Sequence, residues 1–329
     1  MVSPFSIEEI FPGVARESVR LPRKQSGSSP QGLAVTLLAD YTLQSRAWLP
    51  SGAIIALLAE SGVNTASART AISRLTRRGV LERDRRARGS SYRLTQPAAD
   101  NLAQGGSRIA AFAAADESWD GWWTLIAFSL PQEASAERRA LRGQLRWLGY
   151  APLYDGLWVT PHDLDNKARA ELSKTALGAT SVFRARHVDI EAVTNRIPID
   201  AWDTATLARQ YHSFIRRWSA LLPRVQSETV TGATAVRART EVMDAYRRFP
   251  TLDPLPIQLM PAGWPRQDTR AVFVAVYDGL AEPAQQHVRA VADRYAAEPR
   301  SDEVVAGTPE LGRPDIRAHT IAELVSSAS

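Results

Sequence analysis

The residues best equipped to do chemistry are arginines. Nine of them fall between Arg69 and Arg93 (Arg69, Arg74, Arg77, Arg78, Arg83, Arg85, Arg86, Arg88 and Arg93), opposed only by Glu82 and Asp84. That segment carries +7 in a chain whose formal net charge is +5, so the rest sums to −2. One basic patch on an otherwise near-neutral protein marks a polyanionic partner. Only three lysines occur, Lys24, Lys167 and Lys174, and the other 37 positive charges are arginine. The forked guanidinium suits phosphate oxygens and guanine edges better than a point-like ammonium.

Other chemistries are poorly supplied. The 329-residue chain has no cysteine, which removes disulfides, thiolate catalysis and cysteine-held metal sites. The five histidines, His162, His187, His212, His287 and His319, show no metal-ligand spacing, so each is expected at the surface or in a local hydrogen bond. There is no glycine-rich phosphate loop, no G-x-S-x-G elbow and no H-E-x-x-H. The expectation is a protein that is not an enzyme, with no metal and no resident cofactor. A hydrophobic content of 44% is ample for compact cores. No apolar stretch approaches the roughly 18 residues of a membrane helix, and MVSPFSIEEI lacks the features of a secretory signal, which points to a cytoplasmic location without membrane contact.

At about 100° per residue, a helix over 66–78 gathers Ala68, Ala71, Ile72 and Leu75 on one side, the core face. The other side displays Ala66, Thr70, Ser73 and Arg77, flanked by Arg69 and Arg74, with Ser67 and Arg78 as further candidate DNA contacts. Small hydroxyl residues let such a helix approach a groove floor, while flanking arginines reach phosphates or base edges. The turn holding Arg85, Arg86, Arg88 and Gly89 is expected to act as a wing that lies along a nucleic-acid backbone or enters a minor groove.

Those residues must be positioned by elements around them. Residues 1–30 and 299–329 are rich in proline and read as tails, the second with a short helix near 316–325. Over 31–115 the pattern predicts helices at 31–42, with Leu33, Leu37, Leu38 and Tyr41 on one face, at 52–60, and from Asn64 or Thr65 to about Arg78, stopped by Gly79. Short strands at 80–84 and 91–95 follow, giving the order of a winged helix-turn-helix. Over 119–200, strands at 123–130, 151–154, 157–160 and 181–188 alternate with helices at 137–148 and 165–177, and Asp155-Gly156 marks a hairpin. That βαββαβ order is ferredoxin-like. Residues 201–298 read as a mainly helical C-terminal domain. The fold class expected is therefore α+β and multidomain.

Four strings in order resemble one family. ARTAISRLTRRGVLERD (68–84) with YRLT (92–95) is similar to the N-terminal domain of PaaX-type transcriptional regulators, repressors of phenylacetic acid catabolism. WDGWWTLIAFSLP (119–131) and LRWLGYAPLYDGLWVTP (145–161) resemble the family's central Cas2-like domain, and AYRRFPTLDPLP (245–256) with LMPAGWP (259–265) its C-terminal domain. Where the family commonly has a histidine ahead of the paired arginines, this chain has Asp244.

The resemblance implies an effector-responsive repressor of an aromatic-acid catabolic operon. Its partners would be double-stranded operator DNA, a second copy of the chain in a homodimer, and an aryl- or acyl-coenzyme A thioester that releases the DNA. Trp218, Tyr246, Arg247, Arg248 and Trp264 are the candidates for the effector site, the arginines for phosphates and the rings for the acyl end. Against this stands the reading of each tryptophan as a core anchor and of the arginines as salt-bridged. Trp119, Trp122, Trp123 and Trp158 are expected in a core or dimer interface. The alternative function is a Cas2-like metal-dependent nuclease centred on Asp120, with the winged helix delivering substrate.

Overall fold

A computed structural model of the chain describes residues 29–84, 90–114, 118–130, 135–164, 166–173, 179–188, 196–297 and 315–326. In chain order its first elements are α1 (Pro30–Thr42), β1 (Leu49–Pro50), α2 (Ser51–Glu60), α3 (Thr65–Arg77), β2 (Leu81–Asp84), β3 (Ser91–Leu94) and α4 (Gln96–Ala111). The βαββαβ run follows as β4 (Trp123–Ser129), α5 (Ser135–Trp147), β5 (Ala151–Tyr154), β6 (Leu157–Thr160), α6 (Asn166–Ser173) and β7 (Ala179–Ala185). The remainder is helical: α7 (Thr204–Ser219), α8 (Leu222–Gln226), α9 (Gly232–Tyr246), α10 (Phe249–Leu252), α11 (Arg266–Gly279), α12 (Ala281–Ala297) and α13 (Ile321–Ser326), with 3-10 turns at Pro198–Ala201 and Ile257–Leu259. No described helix is long and apolar enough to cross a membrane.

The elements form two compact units, one of Met1–Ala114, Phe214–Arg248 and Asp268–Ser329, the other of Ala115–Ser213 and Phe249–Gln267. The 201–298 stretch, set apart in the sequence as one helical domain, thus contributes to both. In the first unit, local signals set the helix ends. Ser29 caps α1 by accepting from the Gly32 amide at 3.1 Å, and Asn64 caps α3 by accepting from Ser67 at 2.8 Å. Gly79, at φ +72°, ends α3 with the Val80 amide reaching back to the Leu75 carbonyl at 3.0 Å, a Schellman closure that favours glycine. A three-stranded sheet in the order β1-β3-β2 completes this part. Strand β1 has only two residues, too few to show a period.

Helix α1 departs from the one-faced stripe expected of it. Gln31, Thr36, Asp40 and Thr42 are buried along with Ala34, Leu37, Leu38 and Tyr41, because α3 packs on one side and α9 on another. Residues 315–326, within the segment read as a tail, are held here too. The Arg317 amide donates to the Tyr41 carbonyl at 3.0 Å, and Ser107 Oγ of α4 donates to the Leu324 carbonyl at 2.7 Å. Helices α2 and α12 approach closely at Gly52, where an added Cβ would lie 2.5 Å from Tyr295 Cδ1. Gly52→Ala is therefore expected to destabilise the protein despite its better helix propensity. Overpacking costs about 1–3 kcal/mol against a gain of at most ~1 kcal/mol. Thermal unfolding of Gly52→Ala and of Gly52→Ala/Tyr295→Ala checks it, the second change relieving the clash.

The second unit is built on an antiparallel sheet in the order β5-β6-β4-β7. One face buries Ile126, Phe128 and Trp158 against Leu141 and Leu145 of α5 and Leu172 of α6. The opposite face buries Trp123, Leu153 and Val159 under Leu255 and Met260, with Trp119, Trp202 and Trp264 packed around them. The 249–267 stretch belongs to this unit because the second sheet face needs an apolar cover. Trp119, Trp123 and Trp158 are thus core or near-core, while Trp122 is exposed.

Candidate nucleic-acid interface

Helix α3 places its side chains as its periodicity demands. Ala68, Ala71, Ile72 and Leu75 are buried, and Arg69, Thr70, Ser73, Arg74 and Arg77 are exposed, with Ser67 and Arg78 half-buried. Thr70 Oγ1 donates to the Ala66 carbonyl at 2.9 Å, which leaves its oxygen free to accept. Among the described residues no ion pair or hydrogen bond engages the side chains of Arg69, Arg74 or Arg77, whereas Arg78 Nη1 lies 3.5 Å from Gln31 Oε1. Arg85, Arg86 and Arg88 lie outside the described residues. The nine arginines are not equivalent. Glu82 stands directly opposite Arg93 in the β2–β3 ladder and takes both Arg93, at 2.7 Å, and Arg46, at 2.6 Å. Arg93 also lies over the Trp48 ring, 4.3 Å from its centroid. Cross-strand pairing makes Arg93 part of the scaffold, a placement the strand register could have foretold.

The proposed effector residues are distributed. Tyr246 is buried and stacked on Phe273 at 3.8 Å, with Phe214 6.0 Å away and Trp218 beside Phe214 at 6.2 Å, all in the first unit. Arg247 and Arg248 both turn to Asp244, Arg247 in a very short contact and Arg248 at 3.4 Å, and Arg247 also lies 3.4 Å from Thr36 Oγ1. Asp244, present where the family commonly has a histidine, supplies the counter-charge. Trp264 belongs to the second unit, where its Nε1 donates to Asp253 at 3.0 Å.

Comparison with known proteins shows the family. Residues 29–98 match the family description "PaaX-like protein", 116–197 match "PaaX protein central Cas2-like domain", and 202–290 match "PaaX-like protein C-terminal domain". The chain belongs to the PaaX family. It is 25% identical over 245 residues to the transcriptional repressor PaaX of Escherichia coli K12, covering 72% of this chain and 75% of that protein. It also resembles in fold an uncharacterized protein, Rv0674, from Mycobacterium tuberculosis, with a TM-score of 0.50 at 21% identity over 83% of this chain and 99% of that one.

In this PaaX-family chain the Cas2-like domain holds Asp120 in structural contacts. Its Oδ1 accepts the Trp122 amide at 2.9 Å, an Asx-type turn, and its Oδ2 accepts Arg184 Nη2 at 2.6 Å. Arg184 also pairs with Asp163 at 2.9 Å. An arginine thus sits between the two carboxylates. No group of three or more histidine, aspartate or glutamate side chains that could hold a metal occurs among the described residues.

Sequence reasoning missed a buried polar cluster in the first unit. Arg239 is 0% exposed, lies 3.8 Å over the Tyr277 ring and donates to the His319 carbonyl. Tyr277 Oη donates to Asp40 at 2.8 Å. Asp40 Oδ2, Tyr41 Oη, Arg239 Nε and Nη1, and both His319 ring nitrogens are buried with no hydrogen-bond partner among the described residues. His319 is therefore neither at the surface nor locally bonded. Burial pushes the Asp40 carboxyl up to about 6, against the opposing pull of Arg239, and burial together with Arg239 pushes His319 down to about 4. The two shifts act oppositely on stability. Asp40 contributes stability present below its ordinary value and lost as pH rises through about 6; His319 contributes stability present above its ordinary value and lost as pH falls through about 4. The two contributions therefore oppose each other in the wild-type protein between pH 4 and 6.5. Asp40→Asn, which leaves only the His319 contribution, is expected to lose stability as pH falls through that window and His319→Gln to gain it, as denaturant unfolding at stepped pH would show.

Proposed function

We propose that the chain is a transcriptional repressor that binds duplex operator DNA through α3, with α1 to β3 forming a winged helix-turn-helix. The observation that carries this reading is the solvent face of α3, where Thr70 and Ser73 lie between Arg69, Arg74 and Arg77, none of which is paired with a described residue. The element order supports it. A four-residue connection (61–64) joins α2 to α3, and β2 pairs with β3 on either side of a sequence segment that carries Arg85, Arg86 and Arg88. The name of the Escherichia coli relative, a transcriptional repressor, points the same way. The nuclease reading is disfavoured by the Arg184 guanidinium held between Asp120 and Asp163.

The repressor acts in the cytoplasm as a homodimer whose two α3 helices enter successive major grooves about 34 Å apart on a pseudo-twofold operator. An aryl- or acyl-coenzyme A thioester lowers operator affinity by favouring a dimer with misplaced α3 helices, for which a coupling of about 1–3 kcal/mol suffices. Of the paired arginines, Arg248 has the side chain with surface to offer a phosphate, at 40% exposure. The operon is one of aromatic-acid catabolism. Selection from a random duplex pool by the full chain tests the reading. The expected product is an inverted repeat whose retention falls when a coenzyme A thioester is added, and no DNA is cut in magnesium or manganese. An unenriched pool contradicts DNA reading; metal-dependent cleavage abolished by Asp120→Ala restores the nuclease.

A further inference from the structure

The second unit carries a cationic cleft that the DNA-binding reading does not use. Arg142 and Arg146, four residues apart on α5, stand beside the β5–β6 hairpin and with Arg196 line an open cleft of about 360 Å³ that also includes Tyr154, Asp155 and Trp158. That volume suits a small molecule, and a concave opening does not suit the convex backbone of a duplex.

The charges in the cleft are incompletely answered. Arg142 pairs with Asp155 at 2.6 Å, but the Asp155 side chain is 97% exposed, so the pair is solvated and weak. Arg146 and Arg196 have no ion pair among the described residues. Arg146 is backed instead by the Trp158 ring at 5.3 Å and Arg196 by the Tyr154 ring at 5.7 Å. Two buried donors find no acceptor among the described residues: Arg142 Nε, and Nε1 of Trp158, a residue only 1% exposed. A buried donor left without an acceptor is costly. Unneutralised guanidiniums, orphaned donors and aromatic walls in one concavity all ask for the same guest, an anionic oxygen acceptor carried on a flat apolar body.

We propose that this cleft binds a small organic anion, a carboxylate or a phosphate monoester on an aromatic or similarly flat group, with Arg146 and Arg196 holding the charge. The site is distinct from the residues around Tyr246 and does not depend on DNA binding by α3. Isothermal titration calorimetry on the full chain in low salt, without DNA, tests it with phenyl phosphate, benzoate and neutral benzyl alcohol. The expected result is saturable one-to-one binding of phenyl phosphate or benzoate, showing which head group is preferred, and none of benzyl alcohol. Affinity should fall at least tenfold in Arg146→Ala and in Arg196→Ala, both exposed positions whose folding is checked by circular dichroism, and stay unchanged in Arg77→Ala on α3. Absence of saturable binding by either anion, affinity indifferent to Arg146→Ala and Arg196→Ala, or binding lost in Arg77→Ala would overturn the proposal. So would Arg146→Ala or Arg196→Ala weakening duplex DNA binding while leaving phenyl phosphate binding intact, which would make the cleft a nucleic-acid surface.

Discussion

Asp253→Ala is expected to lower the unfolding free energy by about 3–5 kcal/mol, the cost of stranding a buried charge. Asp253 is 0% exposed in its side chain and is the common acceptor of the second unit. Its Oδ2 takes Tyr211 Oη at 2.7 Å, Trp264 Nε1 at 3.0 Å and Arg266 Nε at 2.8 Å, while its Oδ1 takes Arg266 Nη2 at 2.6 Å. Alanine would take both carboxylate oxygens away from a largely buried guanidinium, which also donates to the Leu255 carbonyl at 2.5 Å, and would remove the acceptor of the Tyr211 and Trp264 donors. Burial and the neighbouring Asp253 both raise the Tyr211 hydroxyl far above its usual range, so the tyrosine remains a donor at any ordinary pH. Asp253→Asn keeps the shape and part of the hydrogen bonding and should cost less. Chemical denaturation of the two variants decides it; equal stability of Asp253→Ala and wild type would remove the network as a support of this unit.

The second large effect is on DNA. The triple substitution Arg69→Ala/Arg74→Ala/Arg77→Ala should reduce operator affinity by at least a hundredfold while leaving thermal stability within about 0.5 kcal/mol, because none of the three pairs with a described residue. A base-reading arginine contributes about 1–3 kcal/mol and relaxes specificity when lost. A phosphate-binding one lowers affinity for every sequence and takes about 0.9 off the slope of log affinity against log salt. Fluorescence anisotropy on operator and scrambled duplexes across a salt series separates the roles. An unchanged slope and an unchanged ratio together would show that the arginines of α3 are bystanders.

The sequence made α3 readable because four apolar residues, Ala68, Ala71, Ile72 and Leu75, fall on one arc of a helix whose other side meets water. It misled for α1, which has neighbours on several sides and so carries no stripe at all. The hairpin at Asp155-Gly156 was plain, since β5 ends at Tyr154 just before that turn and β6 starts at Leu157 just after it. The division of 201–298 between two units was not, because nothing local marks Leu255 and Met260 as cover for a sheet face built more than 90 residues earlier. Asp244 is an instructive middle case. Its departure from the family pattern was visible in the sequence, and its i, i+3 and i, i+4 spacing to Arg247 and Arg248 agreed with the salt-bridged reading, but the further contact of Arg247 with Thr36 of α1 required three dimensions. The Asp40, Arg239, Tyr277 and His319 cluster, and the cleft of Arg142, Arg146 and Arg196, join residues from distant segments that carry no shared motif. Sequence periodicity reports what a helix faces, not which remote side chain it meets.

The account stands or falls on α3 lying in a DNA groove. A photo-crosslinking residue placed at Ser73, in the centre of the exposed face of α3, measures this directly, with the same residue at exposed Gln286 of α12 as the comparison. Irradiation with operator DNA is predicted to give covalent adducts at Ser73 that map to bases within each half-site, and none at Gln286. Adducts absent from Ser73 in a variant that still binds the operator would place the DNA elsewhere on the protein and contradict the account.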